Sequence, residues 1–80
     1  MKKIILEPTG NVKSFYNKAY ILEDEEGNAT LYSYETPIIR RNTDGSLTRL
    51  YNGWTATTGR HIKAFCNLTK QEFLKIKMEG

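Results

Sequence analysis

Short apolar runs in this chain are cut by turn signals at close intervals, and that punctuation constrains the fold more than any other feature. Asn42-Thr43-Asp44-Gly45 is the strongest signal, since Asp-Gly accepts positive φ at little cost. Gly27-Asn28 and Asn52-Gly53 are two more. Between them lie segments long enough for strands and too short for helices. Residues 3–7 read as a strand stopped by Pro8-Thr9-Gly10, and Ala19-Tyr20-Ile21-Leu22 as another. Residues 23–28 form an acidic turn, and residues 29–35 return as a strand, giving a hairpin with an acidic tip. Period-2 alternation puts Leu31 and Ser33 on one side of that strand and Thr30, Tyr32 and Tyr34 on the other. Thr36-Pro37 is expected to break or bend it, because proline brings no N–H to a ladder. Extended structure resumes over residues 38–41 and 46–51, with one more short strand expected at residues 54–57. Residues 11–18 have no period: Phe15 and Tyr16 call for burial, while Asn and Lys interrupt them.

The pattern then changes. Ile62, Phe65 and Cys66 stand at i, i+3 and i+4, one face of a helix, with Arg60, Lys63 and Asn67 opposite. Thr57 or Thr58 is expected to cap that helix. Thr69-Lys70-Gln71-Glu72 has the capping-box form for a second, shorter helix carrying Phe73, Leu74 and Ile76. The expected fold is α+β: an antiparallel sheet of four to five strands with one or two C-terminal helices on one face, in a single domain over residues 1–80. Trp54, Ile62 and Phe65 should tie helix to sheet.

At 80 residues the core is modest, so oligomerisation would add useful buried area. The single cysteine, Cys66, permits no internal disulfide, which favours a reducing, cytoplasmic compartment. No apolar run approaches membrane-spanning length, and Glu7-Pro8 ends the apolar start too early for a secretion signal.

Catalytic chemistry finds little support. His61 and Cys66 are five apart on one predicted helix and point to different sides. No serine sits in a Gly-x-Ser-x-Gly elbow, one His and one Cys do not make a zinc site, and the acidic run at residues 23–26 lacks calcium-loop spacing. No catalytic residue, metal or cofactor is assigned. The densest polar constellation is Trp54-Thr55-Ala56-Thr57-Thr58-Gly59-Arg60-His61. It places hydroxyls, a guanidinium and an imidazole where the first N–H groups of a helix lack backbone partners, which suits a carboxylate or phosphate. Gly59 would let a group approach the backbone, and Trp54 would offer a stacking face. Thr57, Thr58, Arg60 and His61 are expected to form one polar cluster, with Arg60 partly exposed and an anion, Glu35 or a ligand, between them. The same residues also make an ordinary helix cap. A second constellation, Tyr32 with Arg40, Arg41, Arg49 and Lys63, would suit single-stranded nucleic acid through stacking and phosphate contact.

Two stretches together resemble a known family. Ser33-Tyr34-Glu35-Thr36-Pro37, and then Trp54-Thr55-Ala56-Thr57-Thr58-Gly59-Arg60-His61, follow the pattern Ser-Tyr-x-Thr-Pro … Trp-Ser-x-Thr-Thr-x-Arg-His, with Thr55 where serine is usual. This is similar to a small domain of unknown function found in bacteriophages, plasmids and other mobile elements of Gram-positive bacteria. The resemblance implies context rather than an activity: small phage proteins often act by binding a host component, at times to blunt a defence. On that reading the partner is a host protein or a small anionic or nucleotide ligand, met in the host cytoplasm. Tyr34, Thr36, Trp54, Thr55, Thr57, Thr58, Arg60 and His61 would be the binding residues. The alternative is a nucleic-acid-binding accessory protein.

Overall fold

The computed structural model describes residues 2–6 and 18–79. The Pro8-Thr9-Gly10 stop, Glu7, and the segment with Phe15 and Tyr16 lie outside the described residues. Five strands follow one another in chain order: β1 (Lys2–Ile5), β2 (Ala19–Glu23), β3 (Ala29–Ser33), β4 (Thr36–Arg41) and β5 (Leu47–Arg49). Each pairs antiparallel with the next, so the sheet order is β1-β2-β3-β4-β5. Two helices complete the fold, α1 (Ala56–Cys66) and α2 (Lys70–Lys75). This is the α+β arrangement expected from the sequence.

The alternation in β3 does what period-2 geometry requires. Ala29, Leu31 and Ser33 are buried, while Thr30 and Tyr32 are half-buried on the other face. A row Ile4, Ile21, Leu31, Ile39 runs across four strands, and Ile62 and Phe65 of α1 and Phe73 of α2 join it in one core. On the opposite face Tyr20 and Tyr32 pair across strands and stack in parallel planes, centroids 5.2 Å apart. The Lys3 ammonium lies 4.5 Å from the Tyr20 centroid.

Three segments differ from the sequence expectation, each for a local reason. First, Pro37 lies inside β4 instead of breaking the strand. Leu31 pairs with Ile39 and Tyr32 with Pro37, so Ile38 is an extra residue, a β-bulge. A bulge is one of the few sheet positions that accommodates proline. It also turns adjacent residues inward, and Ile38 and Ile39 are both fully buried. Second, β3 ends at Ser33 rather than at residue 35. Ser33 pairs with Thr36, leaving Tyr34 and Glu35 as a two-residue turn, both at positive φ. Third, β5 covers only Leu47–Arg49 and no strand forms at residues 54–57. Leu50 and Tyr51 both donate to the Ile38 carbonyl, 2.9 and 3.1 Å, instead of continuing a ladder.

Helix α1 starts earlier than its apolar spacing suggests. Its N-cap is Thr55, not Thr57 or Thr58: the Thr55 hydroxyl accepts the Thr58 N–H at 3.0 Å. It ends where Asn67 adopts the left-handed conformation and returns its N–H to Ile62 and Lys63. The capping box of α2 is present as expected, with Thr69 and Glu72 satisfying each other's backbone N–H. Phe73 is fully buried, Leu74 is exposed, and Ile76 packs against the core from the end of the helix.

The two helices meet through Trp54. Its ring lies directly against Gly59, where an added Cβ would stand 2.5 Å from the indole. On its other side it meets Phe73 at 5.7 Å. Gly59 is therefore open to Trp54, not to a ligand, and Trp54 is half-buried packing rather than a stacking face. In most helix interiors Gly→Ala adds about 1 kcal/mol of stability. Here Gly59→Ala should instead destabilise by about 1–3 kcal/mol through overpacking. In a Trp54→Ala background the same change should become stabilising, which a denaturation double-mutant cycle will read directly.

Candidate functional site

The polar residues singled out in the sequence are distributed by the helix, not gathered. Thr58 and His61 turn toward the sheet and are buried, Arg60 is exposed on the far side, and Thr57 is half-buried. The expected single cluster of Thr57, Thr58, Arg60 and His61 does not form. No ion pair joins Arg60 to Glu35 among the described residues, where the recorded pair is Arg40 with Glu79 at 2.8 Å. Thr55 is used as the cap and donates its own hydroxyl to Thr58 Oγ1 at 2.9 Å.

His61 makes the contact that links helix to sheet. It is 2% exposed, and its Nδ1 lies 2.8 Å from Ser33 Oγ, which is 4% exposed. A buried hydroxyl and a buried imidazole thus satisfy one another. The distance also fits a nucleophile and its base, and Ser33, 4% exposed, lines the pocket described next. The neighbouring Tyr34 ring is tilted against His61, centroids 6.2 Å apart.

Beside this contact is a pocket of about 150 Å³ lined by Ser33, Tyr34, Thr36, Ile38, Tyr51 and Thr58. Three features of the fold build it. The two-residue turn presents Tyr34 and Thr36, the bulge carries Ile38 and draws Tyr51 in through its carbonyl, and the first turn of α1 adds Thr58. Five of the six lining side chains carry a hydroxyl. Thr58 Oγ1 accepts from Thr55, so its own hydrogen remains to donate. Among the described residues no hydrogen bond occupies the hydroxyls of Tyr34, Thr36 or Tyr51. The Lys18 ammonium stands over the Tyr34 ring at 5.3 Å, placing a cation near this tyrosine.

Tyr34 and Glu35 themselves are unusual. Their φ angles are 53° and 75°, a region that glycine and asparagine enter far more readily. Tyr34 is 56% exposed, so the fold does not retain it for burial. Backbone strain of this kind recurs at ligand clamps and active sites.

The second constellation is divided between faces. Tyr32 and Arg40 lie on the face away from the helices, where Arg40 is tied to Glu79 and to Asn42. Arg41 lies over the Phe65 ring at 4.6 Å on the helix side. Arg49 donates to the carbonyls of Ile76 and Leu74 at the end of α2, and residue 78 bridges to it in parallel. Lys63 is exposed on α1. Cys66 is half-buried against the core, and burial raises its thiol to about 11, despite Arg41 nearby.

With the pocket in place, the chain can be compared with known proteins. It belongs to a family of unknown function, DUF8033, whose model matches residues 4–79. No curated protein and no solved structure matches it. No helix among the described residues is long and apolar enough to cross a membrane. Ser33, Ile38 and Tyr51 are pocket residues that the sequence reading did not select. Ser33 did carry a signal: it alternates with Leu31, and a polar residue on the buried face requires a partner. Nothing local marked Tyr51, because the bulge that recruits it is a property of the pairing.

Burial, with the Arg60 charge adding to it, holds His61 below the ordinary histidine value of 6.5. The unfolded chain therefore binds this proton more tightly, so the stabilisation is complete above about pH 6.5 and declines as pH falls toward the lower native value. Asp24, Asp44 and Glu72, all held below their ordinary values by hydrogen bonds, lose theirs only in more acidic solution. Wild-type stability should thus fall as the pH drops below about 6.5. His61→Gln, less stable overall, should have a flatter profile in that window in denaturant titrations.

Proposed function

We propose that this chain is a non-enzymatic binding protein, encoded by a bacteriophage or another mobile element, that engages a host protein through the Tyr34 turn and its hydroxyl-lined pocket. The observation that carries this is the pocket itself: five hydroxyl side chains around about 150 Å³, three without a hydrogen bond among the described residues, beside an exposed tyrosine held at positive φ. Its volume favours a protein partner over a free nucleotide. Sites that enclose a whole small molecule run to roughly 300–1,000 Å³, so this one accepts a single polar group, such as a side chain or a chain terminus. Tyrosine is a frequent interface anchor, because it offers a large rigid surface with a polar tip. Interference with a host defence is the biological role we infer, from the mobile-element context suggested by the two sequence stretches.

The nucleic-acid reading has less to support it. Its cations are divided between faces, with Arg40 and Arg49 engaged by Glu79 and the α2 carbonyls.

The turn gives the sharper test. Tyr34-Glu35→Asn-Gly relieves two positive-φ residues and should raise stability by about 1 kcal/mol or more, while binding is lost. Tyr34→Ala alone should weaken binding by about 2 kcal/mol, roughly thirtyfold. Capture from host lysate followed by titration with the captured partner measures both. Capture that survives both variants and Thr36→Val unchanged would place the binding surface elsewhere.

A further inference from the structure

We propose that the pocket beside Tyr34 takes an anionic oxygen group, a carboxylate or a phosphoryl group, and that its binding is linked to the uptake of a proton by His61. The proposal rests on the reading of this pocket as the binding site and specifies its chemistry.

The geometry is a two-step relay. Ser33 lines the pocket, and its hydroxyl is 2.8 Å from Nδ1 of His61, which is not a lining residue. A neutral imidazole nitrogen accepts a hydrogen or donates one according to tautomer, whereas both nitrogens of an imidazolium donate. Once His61 is charged, Ser33 Oγ must accept from Nδ1, and its own hydrogen becomes available to whatever occupies the pocket. Thr58 already has its hydrogen free in the same way, because Thr55 donates to its oxygen. In the tautomer whose Nδ1 accepts from Ser33, protonation thus frees a donor at the pocket wall, and in either tautomer it puts a positive charge one hydrogen bond behind it. The donor suits any oxygen acceptor, and the charge selects an anion over a neutral guest.

Among the described residues, the charged and titratable groups near His61 come from three places. From the turn after β3 comes Tyr34, and with it Lys18, whose ammonium lies over the Tyr34 ring. Arg60 stands on the same helix, exposed, and repels the imidazolium. Tyr51 lines the pocket, and Glu35, the carboxylate in the turn, is exposed. An arriving anion offsets the repulsion from Arg60, and so binding and protonation must favour one another reciprocally.

The chain has one histidine, so its ring signal can be followed by NMR through a pH titration without ambiguity. The probes are sulfate, for a phosphoryl group, and acetate, for a carboxylate, each against chloride at equal ionic strength. The expected result is a rise in the His61 midpoint with at least one of them, absent in Ser33→Ala and in Thr36→Val. Thr36 is exposed, so its variant keeps the test open if Ser33→Ala does not fold. A rise of about one pH unit at saturation would mean a tenfold tighter hold on the protonated form. Which probe acts tells carboxylate from phosphoryl. No rise with either probe, or an equal rise in Thr36→Val, overturns the proposal. If Thr36→Val abolishes partner capture while neither anion moves the midpoint, the pocket remains the binding surface and its coupling to His61 is refuted.

Discussion

One extra residue in β4 shapes most of what is distinctive here. With Ile38 bulged, two adjacent isoleucines point into the core, Pro37 is accommodated within a strand, and the Ile38 carbonyl gathers the N–H groups of Leu50 and Tyr51. A regular strand would have sent one isoleucine to the opposite face, because side chains alternate strictly in an unbroken pleat. The bulge also ends β5 early and directs the chain toward Trp54 and α1. The pocket lies where these consequences meet, its wall shared by the bulge, the turn and the first residues of the helix.

Burying Ser33 and His61 would be costly for either residue alone. An unsatisfied buried polar group costs about 1–3 kcal/mol, and their mutual hydrogen bond removes that cost while fixing α1 against β3. The bond specifies orientation in a way that apolar contacts between Leu31, Ile62 and Phe65 do not, since dispersion has little directionality. Trp54 acts similarly between the helices, through shape: only a residue without Cβ at position 59 leaves room for its ring.

Most of the arginines near the sheet are engaged by the fold itself. Arg49 caps carbonyls at the end of α2 and covers Phe73, Arg41 covers Phe65, and Arg40 holds Glu79. These contacts fasten the helices and the C-terminal segment to β4 and β5 and leave the net charge of +3 a poor guide to where a partner would bind. The region around Tyr34 differs, because among the described residues the hydroxyls of Tyr34, Thr36 and Tyr51 have no hydrogen bond and its backbone is held in a conformation a stability-optimised turn would avoid.

Local chemistry was enough to determine the α+β class, the acidic hairpin tip, the Asp44-Gly45 turn, the inward face of β3 and the capping box of α2. Each depends on residues within a few positions of one another, so propensity and periodicity report it. The exact cap of α1 was less secure, because Thr55, Thr57 and Thr58 are equivalent as capping residues until a backbone N–H is placed within reach of one of them. The bulge, the Trp54–Gly59 contact and the Ser33–His61 bond, whose partners are 28 positions apart, were settled only by the tertiary structure. They depend on which strand residue faces which, and pairing register is a long-range quantity. Sequence named Tyr34, Thr36 and Thr58 as candidate binding residues; only the folded sheet could set Ser33, Ile38 and Tyr51 beside them in one pocket and turn Arg60 away.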